Sequence, residues 1–401
     1  MRPEAFANSP SGILVPTEQG QRAFVPNPLP PKLDPAEYVG SLETAASAIG
    51  ELNGIGRTLD NPYLLIRPMQ TKEALTSSSM EGTYTTVDDL LLFEAGAFRS
   101  GTAADTREVS NYRRALSNAI SSLTDLPLCL RTLRNAHRTL LHGVGDARGL
   151  NKRPGEFKVH QNFIGAFDIE GARFIPPPPD HAVRCLNDLE AFIHRERDDH
   201  IPLLIESALI HYQFETIHPF ADGNGRVGRM LITIHLFQRE LIKQPILYLS
   251  PYLEEHRDEY IDLMYEVSRS GAWGAWIEFY LGAVTESARQ TVAIADRLFA
   301  LQRQYRSALQ GAGRSANLLA ISDHLFIEPV FTIPGIASLL GVTYRAAQLN
   351  VKQIEKAGLI REIENTSNPR FYVAPGILAV IRGEFEAGDR IATRTAQRRT
   401  K

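Results

Sequence analysis

Cysteine is scarce: Cys129 and Cys185 are the only two in 401 residues. Both lie in apolar, helix-like stretches and lack zinc-ligand spacing. A disulfide-stapled scaffold is therefore excluded, and structural thiols in a reducing compartment are expected. Long apolar runs are also missing. No stretch of about 18 apolar residues occurs, so no transmembrane helix is expected. The start, Met1-Arg2-Pro3-Glu4-Ala5-Phe6-Ala7-Asn8, has no apolar core behind a basic end. No signal peptide is expected, and the cytoplasm is the expected location. The third absence is strong net charge. A value of −3 argues against polyanion binding by the whole chain but leaves room for a local basic module.

What is present fits a soluble globular protein, with 43% hydrophobic and 22% charged residues. The length points to two or three domains. Prolines crowd residues 1–35, with Pro26, Pro28, Pro30, Pro31 and Pro35 close together, which predicts an extended arm. Asp34-Pro35 is a helix start, and helical periodicity follows over 36–52. Further helices are expected over Tyr63–Met80, started or kinked at Pro68, and over Val87–Ala95. A loop at 96–106 precedes helices over 107–123 and 127–142. Glu156-Phe157-Lys158-Val159-His160 then alternates with a period of two. With Ala172-Arg173-Phe174-Ile175 it predicts a hairpin, closed by the prolines at 176–179. Helical pattern resumes near Ala182 and runs to Leu301, and the polar stretch 302–315, with Gly311 and Gly313, reads as a linker.

One loop concentrates the chemistry. Residues 201–214 are apolar on almost every face, as is the helix beginning after Gly225; such helices belong in the centre of a bundle. Between them stands His218-Pro219-Phe220-Ala221-Asp222-Gly223-Asn224-Gly225-Arg226-Val227-Gly228-Arg229. Burying so many polar groups is costly unless they are used. Gly223, Asn224 and Gly225 precede a helix N-terminus, where free N–H groups and the helix dipole favour an anion. Arg226 and Arg229 share a face of that helix's first turn. Two cations there oppose the dipole, which an anion in front of them explains. Asp222 offers a hard oxygen to magnesium on phosphates. His218 can accept a proton from an attacking hydroxyl.

These twelve residues resemble the signature of the Fic family: His-Pro-Phe, any residue, Asp or Glu, Gly-Asn-Gly-Arg, two residues, Arg. Positions 218 to 229 match it without departure, and the resemblance covers about residues 60–300. It implies a mostly α fold, a helical core with a small β-hairpin flap. It also implies transfer of AMP from ATP to a Ser, Thr or Tyr hydroxyl of a protein target. His218 would be the general base, Asp222 the Mg2+ ligand, and Gly223, Asn224 and Gly225 the phosphate cradle. Arg226 and Arg229 would hold the β and γ phosphates, and Phe220 would anchor the loop. The flap, which positions the target by strand addition, falls on Lys158, Val159, His160, Gln161, Asn162, Phe163, Ile164 and Gly165, opposite Arg173 to Ile175. Tyr248 and Tyr260 resemble residues on the adenine side, although His256 stands where asparagine is expected. Ser77-Ser78-Ser79-Met80-Glu81-Gly82 resembles the family's inhibitory motif. It implies that Glu81 pairs with Arg229 in place of the γ-phosphate, with Ser77 as the motif's first residue.

Near the C-terminus, Ile333–Leu340, Gly341-Val342-Thr343 and Tyr344–Ala357 read as helix, turn and helix, followed by a wing over 361–373. This predicts a winged helix-turn-helix domain, with five basic against three acidic residues over 331–374. Such charge permits DNA contact through Arg345, Gln348 and Lys352 without requiring it. The expected domains are an arm and helix (1–59), a Fic domain with inhibitory helix (60–301), a linker (302–315), a winged helix (316–382) and a basic tail (383–401). The partners implied are ATP and a hydroxyl-bearing protein, with self-modification, a homodimer and DNA also open, and no membrane. Removal of AMP at the same site, another phosphate-containing donor, and a DNA-binding regulator that senses nucleotide remain as alternatives.

Overall fold

The computed structural model describes residues 1–57, 62–97, 104–144, 152–197, 199–310, 316–364 and 369–384. Expectations for the middle of the 96–106 loop, the linker beyond 310, residues 365–368 and the tail from 385 lie outside the described residues.

The first 26 residues are not a plain arm. Strands β1 (Gly12–Pro16) and β2 (Arg22–Pro26) pair antiparallel, with Ile13 opposite Val25 and Val15 opposite Ala23. β-branched and aromatic residues suit that ladder, and the proline count had masked them. Asp34 then accepts a hydrogen bond from the Ala36 N–H at 3.0 Å. This caps a 3-10 turn over Pro35–Tyr38 that leads into α1 (Val39–Arg57).

Next come α2 (Tyr63–Ser79), α3 (Val87–Glu94), α4 (Ala104–Ser122) and α5 (Leu130–Leu140). Pro68 lies inside α2 without ending it. Its missing N–H falls in the second turn, so only one early hydrogen bond is lost. Then follow α6 (Pro179–His194), α7 (Leu203–Ile217), α8 (Asn224–Gln238), α9 (Ser250–Glu255), α10 (Arg257–Ser270) and α11 (Trp273–Gln310). α7 is buried on nearly every face and forms the bundle's centre, packed on α6, α8, α10 and α11. Trp276 of α11 is fully buried and donates its indole N–H to the Ala208 carbonyl at 3.0 Å.

The strand expected at Glu156–His160 is absent; that stretch consists of bends and irregular chain. The Lys158 N–H is committed to the Pro219 carbonyl at 2.8 Å, so the segment lies along the 218–229 loop instead of pairing with a strand. The hairpin reduces to one antiparallel bridge, Ile164 to Phe174. Its far side is braced by β2, whose Phe24 N–H donates to the Ile175 carbonyl at 2.9 Å. Phe24 also packs in an aromatic cluster with Phe6 and Phe174, at centroid distances of 5.6 and 5.8 Å, and Phe6 reaches Tyr265 on α10.

The C-terminal residues form α12 (Ala316–His324), β3 (Val330–Thr332), α13 (Ile333–Leu340), α14 (Tyr344–Lys356), β4 (Arg361–Glu362), β5 (Phe371–Val373) and α15 (Pro375–Arg382). The antiparallel sheet has the order β3-β5-β4. Residues 302–310, expected in the linker, are instead the last turns of α11. Tyr305 and Leu309, one turn apart, are buried there, and the Tyr305 ring packs on Phe326. That apolar face keeps the helix going. α15 rests on α11, α2 and α3, and Arg382 pairs with Asp88. The fold is thus mostly helical with small antiparallel strand pairs, and among the described residues no helix is long and apolar enough to cross a membrane.

Phe24 ties β2 to the 172–175 segment. Phe24→Ala should destabilise the protein by about 3–5 kcal/mol, read from urea unfolding; a variant as stable as the parent would show that the cluster is slack.

Candidate active site

α7 ends at His218, whose backbone is left-handed, with φ 48° and ψ 61°. A non-glycine residue there is strained by about 1–3 kcal/mol, so its surroundings must hold it. The chain then turns to Gly223, φ 77°, and enters α8 at Asn224. Asn224 closes the turn with its side chain: Oδ1 accepts from the Phe220 N–H at 2.7 Å, and Nδ2 donates to the Phe220 carbonyl at 2.8 Å. Both ends of the Asn224 amide are thus engaged with the main chain of its own loop. The first-turn N–H groups of α8 have no intrahelical acceptors.

His137 on α5 secures the same turn, a role that sequence reading missed. Its ring stacks on Phe220 at 3.9 Å and 11°. Nδ1 accepts from the Gly155 N–H at 2.8 Å, so Nε2 is the donor to the Asp222 carbonyl at 2.9 Å. Burial pushes the His137 pKa down to about 4, which keeps this tautomer neutral. Nothing in local spacing could announce a partner 85 residues from Asp222.

In His218, Nδ1 lies 3.3 Å from the Glu215 carbonyl. A carbonyl only accepts, so Nδ1 carries the proton and Nε2 is the basic nitrogen. Burial first, then the Lys158 charge, lower the His218 pKa to about 4, so the ring is unprotonated at neutral pH. Glu215, also missed, lines the same cavity; burial raises its pKa to about 8.

Arg229 is buried and held through Nε and Nη2. Nε donates to Ser77 Oγ, and Nη2 donates to the Ser77 carbonyl and to Glu81 Oε1, all at 2.8 Å. Glu81 reaches over the start of α8: a Cβ on Gly225 would lie 2.2 Å from its Oε1. Burial raises the Glu81 carboxyl, but the Arg229 charge and hydrogen bond outweigh it and leave the pKa below its ordinary value. Arg226 is buried against Glu108 of α4. Asp222 is about a third exposed, with Oδ1 accepting from the Gly223 N–H at 2.7 Å. Among the described residues no group of three or more His, Cys, Asp or Glu converges on one point. The partly exposed Asp222 carboxylate beside the N-terminus of α8 fits magnesium, which would keep waters and phosphate oxygens as its other ligands.

A cavity of about 220 Å³ gathers His218, Gly225, Arg229, Glu81, Tyr260 and Ile164. Tyr260 reaches it with its hydroxyl bonded to His211 Nε2 at 2.9 Å. Tyr248 does not belong. Its hydroxyl donates to the Pro245 carbonyl at 2.5 Å and its ring borders Met69, Lys72 and Glu73, away from the cavity; packing behind α2 turns it inward. The expected flap also divides. Val159 and His160 are exposed, while Gln161 donates to the Asn162 and Pro176 carbonyls. Lys158 and Asn162 point inward. Lys158 Nζ donates to Asn162 Oδ1 at 2.7 Å and to the Ile217 carbonyl at 3.2 Å, and Asn162 Nδ2 to the His218 and Phe220 carbonyls at 2.9 and 3.0 Å.

Residues 39–121 match the family model described as Fic/DOC family N-terminal, and residues 127–236 match Fic/DOC family. A probable protein adenylyltransferase from Aquifex aeolicus is 34% identical over 90 residues, 22% of this chain and 28% of that one. The protein adenylyltransferase Fic of Drosophila melanogaster is 27% identical over 206 residues, 50% of this chain and 38% of that one. The chain thus spans well under half the length of these curated relatives. Among solved structures, a Fic family protein from Desulfovibrio desulfuricans G20 has a TM-score of 0.55 at 22% identity, covering 86% of this chain and 98% of that one. Fic-1 (residues 134–508) from C. elegans has a TM-score of 0.51 at 17% identity, covering 67% and 75%. At those identities the likeness concerns the fold.

The His137 pKa lies below the ordinary histidine value, so its stabilising contribution is complete above pH 6.5 and is lost as pH falls from there toward 4. That loss amounts to roughly 2 kcal/mol between pH 7 and pH 5. His137→Asn should be less stable than the parent at pH 7, yet lose less on moving to pH 5. Urea unfolding at the two pH values measures both, and an equal loss in both proteins would refute the assignment.

Proposed function

The chain belongs to the Fic family, and from that premise we propose that it is a protein adenylyltransferase held in check by Glu81. The observation that carries this reading is the shared cavity: an unprotonated His218 beside the N-terminus of α8, with Arg229 alongside. A Ser, Thr or Tyr hydroxyl of a target protein attacks the α-phosphorus of ATP. His218 Nε2 takes the hydroxyl proton as the new O–P bond forms. The bond from the α-phosphorus to its bridging oxygen breaks, and pyrophosphate leaves. The main-chain N–H groups at Gly223 to Gly225 and the Arg226 charge stabilise negative charge. Asp222 would hold Mg2+, which when bound neutralises charge on the phosphates.

The Glu81 carboxylate would compete with the γ-phosphate for Arg229. Its 2.8 Å contact and its reach over Gly225 put it where an anion is favoured. Removing it should free Arg229 for productive ATP binding. We also read residues 316–382 as a winged helix, which α13, α14 and the β3-β5-β4 sheet support. The outward face of its second helix mixes Arg345 and Lys352 with exposed Tyr344 and Leu349, a composition that favours docking to a protein over DNA.

ATP labelled at the α or γ phosphorus tests the reaction. Label from the α position alone should enter protein. Glu81→Gly should raise the rate by more than about tenfold, a barrier change of about 1.4 kcal/mol, and His218→Ala should abolish it. Transfer from the γ position, or an unchanged rate in Glu81→Gly, would overturn the reading.

A further inference from the structure

Four consecutive carbonyls around His218 are gripped from one short segment. The Ile217 oxygen accepts from Lys158 Nζ, the His218 oxygen from Asn162 Nδ2, the Pro219 oxygen from the Lys158 main-chain N–H, and the Phe220 oxygen from Asn162 Nδ2. The grip is internally braced, because Lys158 Nζ also donates to Asn162 Oδ1. Lys158 is itself buried, with 5% of its surface exposed. Burying a lysine is unfavourable unless its donors are used, and Nζ donates to the Ile217 carbonyl and to Asn162. The backbone so held is the one in the left-handed region, which relaxes unless its neighbours prevent it.

We propose that Lys158 and Asn162 are positioning residues for His218. They hold the loop in the one conformation that directs Nδ1 to the Glu215 carbonyl and frees Nε2. This rests on His218 being the base of the proposed reaction, but its geometric content does not depend on that reaction. The other half of the loop is secured separately, by His137 at Asp222 and by Asn224 at Phe220. Loss of the grip therefore disturbs the base and spares the anion cradle. The same segment continues directly to Ile164, which bridges to Phe174. A target strand added at that edge and the catalytic histidine would then be registered against one piece of main chain.

Asn162→Ala tests this, with nitrogen NMR of the histidine rings in the full-length chain. His218 is identified by comparison with His218→Gln. The fixed Nδ1–H form of His218 should give way to a mixture of tautomers. Binding of a non-hydrolysable ATP analogue, measured by calorimetry, should stay within about twofold, since a group misplaced by an ångström costs rate rather than affinity. In the Glu81→Gly background, kcat for AMP transfer should fall about a hundredfold at unchanged KM for ATP. An unchanged His218 tautomer overturns the proposal, as does parallel loss of nucleotide binding and cooperative unfolding. If Asn162→Ala does not fold, Asn162→Asp keeps the shape without the amide donors and serves the same comparison. Absence of transfer in Glu81→Gly itself would count against the adenylyltransferase reading alone, because the NMR outcome still decides the positioning role.

Discussion

The joint between α7 and α8 is the constraint on which the rest depends. Two helices buried on nearly every face are connected by a short turn full of polar groups. Those groups cannot be left unpaired so deep in the bundle. Asn224 closes the turn from inside, His137 from α5, and Lys158 with Asn162 from the segment after α5. Together they hold the carbonyls of residues 217 to 220 and 222, with two donors on Phe220, so the turn is over-determined, and a left-handed histidine can persist in it. The helical core exists to bring these distant donors within about 3 Å of one loop, a distance set by hydrogen-bond geometry.

α2 extends that constraint outward. Glu73, Ser77 and Glu81 recur every fourth residue and so share a face. Glu73 accepts from the Tyr112 hydroxyl at 2.7 Å and from Ser250 Oγ at 2.5 Å, which fixes the helix to α4 and the start of α9. Burial raises the Glu73 pKa, against the pull of these hydrogen bonds and of the Arg229 charge. One turn later Ser77 takes Arg229, and one turn beyond that Glu81 takes it again. α15 rests on the same helix. A single helix, α2, therefore touches both the C-terminal α15 and, through Ser77, Arg229.

The residues at 218–229 were legible because the chemistry there is local: an acid, a base, glycines and paired arginines act across a few turns of one chain. The helical class was legible for the same reason, since amphipathic and fully apolar stretches announce themselves by period. What stayed hidden depends on distant packing. His137, Glu215 and Glu108 carry no motif, and their roles appear only when helices meet. Lys158 sits in a stretch whose alternation resembles a strand, with Asn162 just beyond it, yet the alternation serves two neighbours: Phe157 packs toward Phe220 while Lys158 bonds the loop. Tyr248 turns away from the cavity at His218, with its hydroxyl on the Pro245 carbonyl and its side chain beside Met69, Lys72 and Glu73 of α2.

The two arginines of α8 show why one contact and not the other suits a control point. Both lie in the first turns of a helix whose dipole disfavours cations there, and each is compensated by a carboxylate from another helix. Glu108, which answers Arg226, is wholly buried. Withdrawing it would strand a charge in the interior, at a cost of several kcal/mol. Glu81, which answers Arg229, keeps about a third of its side chain exposed, so water can receive it if it leaves. It also follows the end of a helix, where Gly82 at φ 75° lets the chain turn away. In the proposed reaction an incoming phosphate would meet a replaceable partner at Arg229 and a fixed one at Arg226. That asymmetry in solvation supports Glu81 as the group that yields.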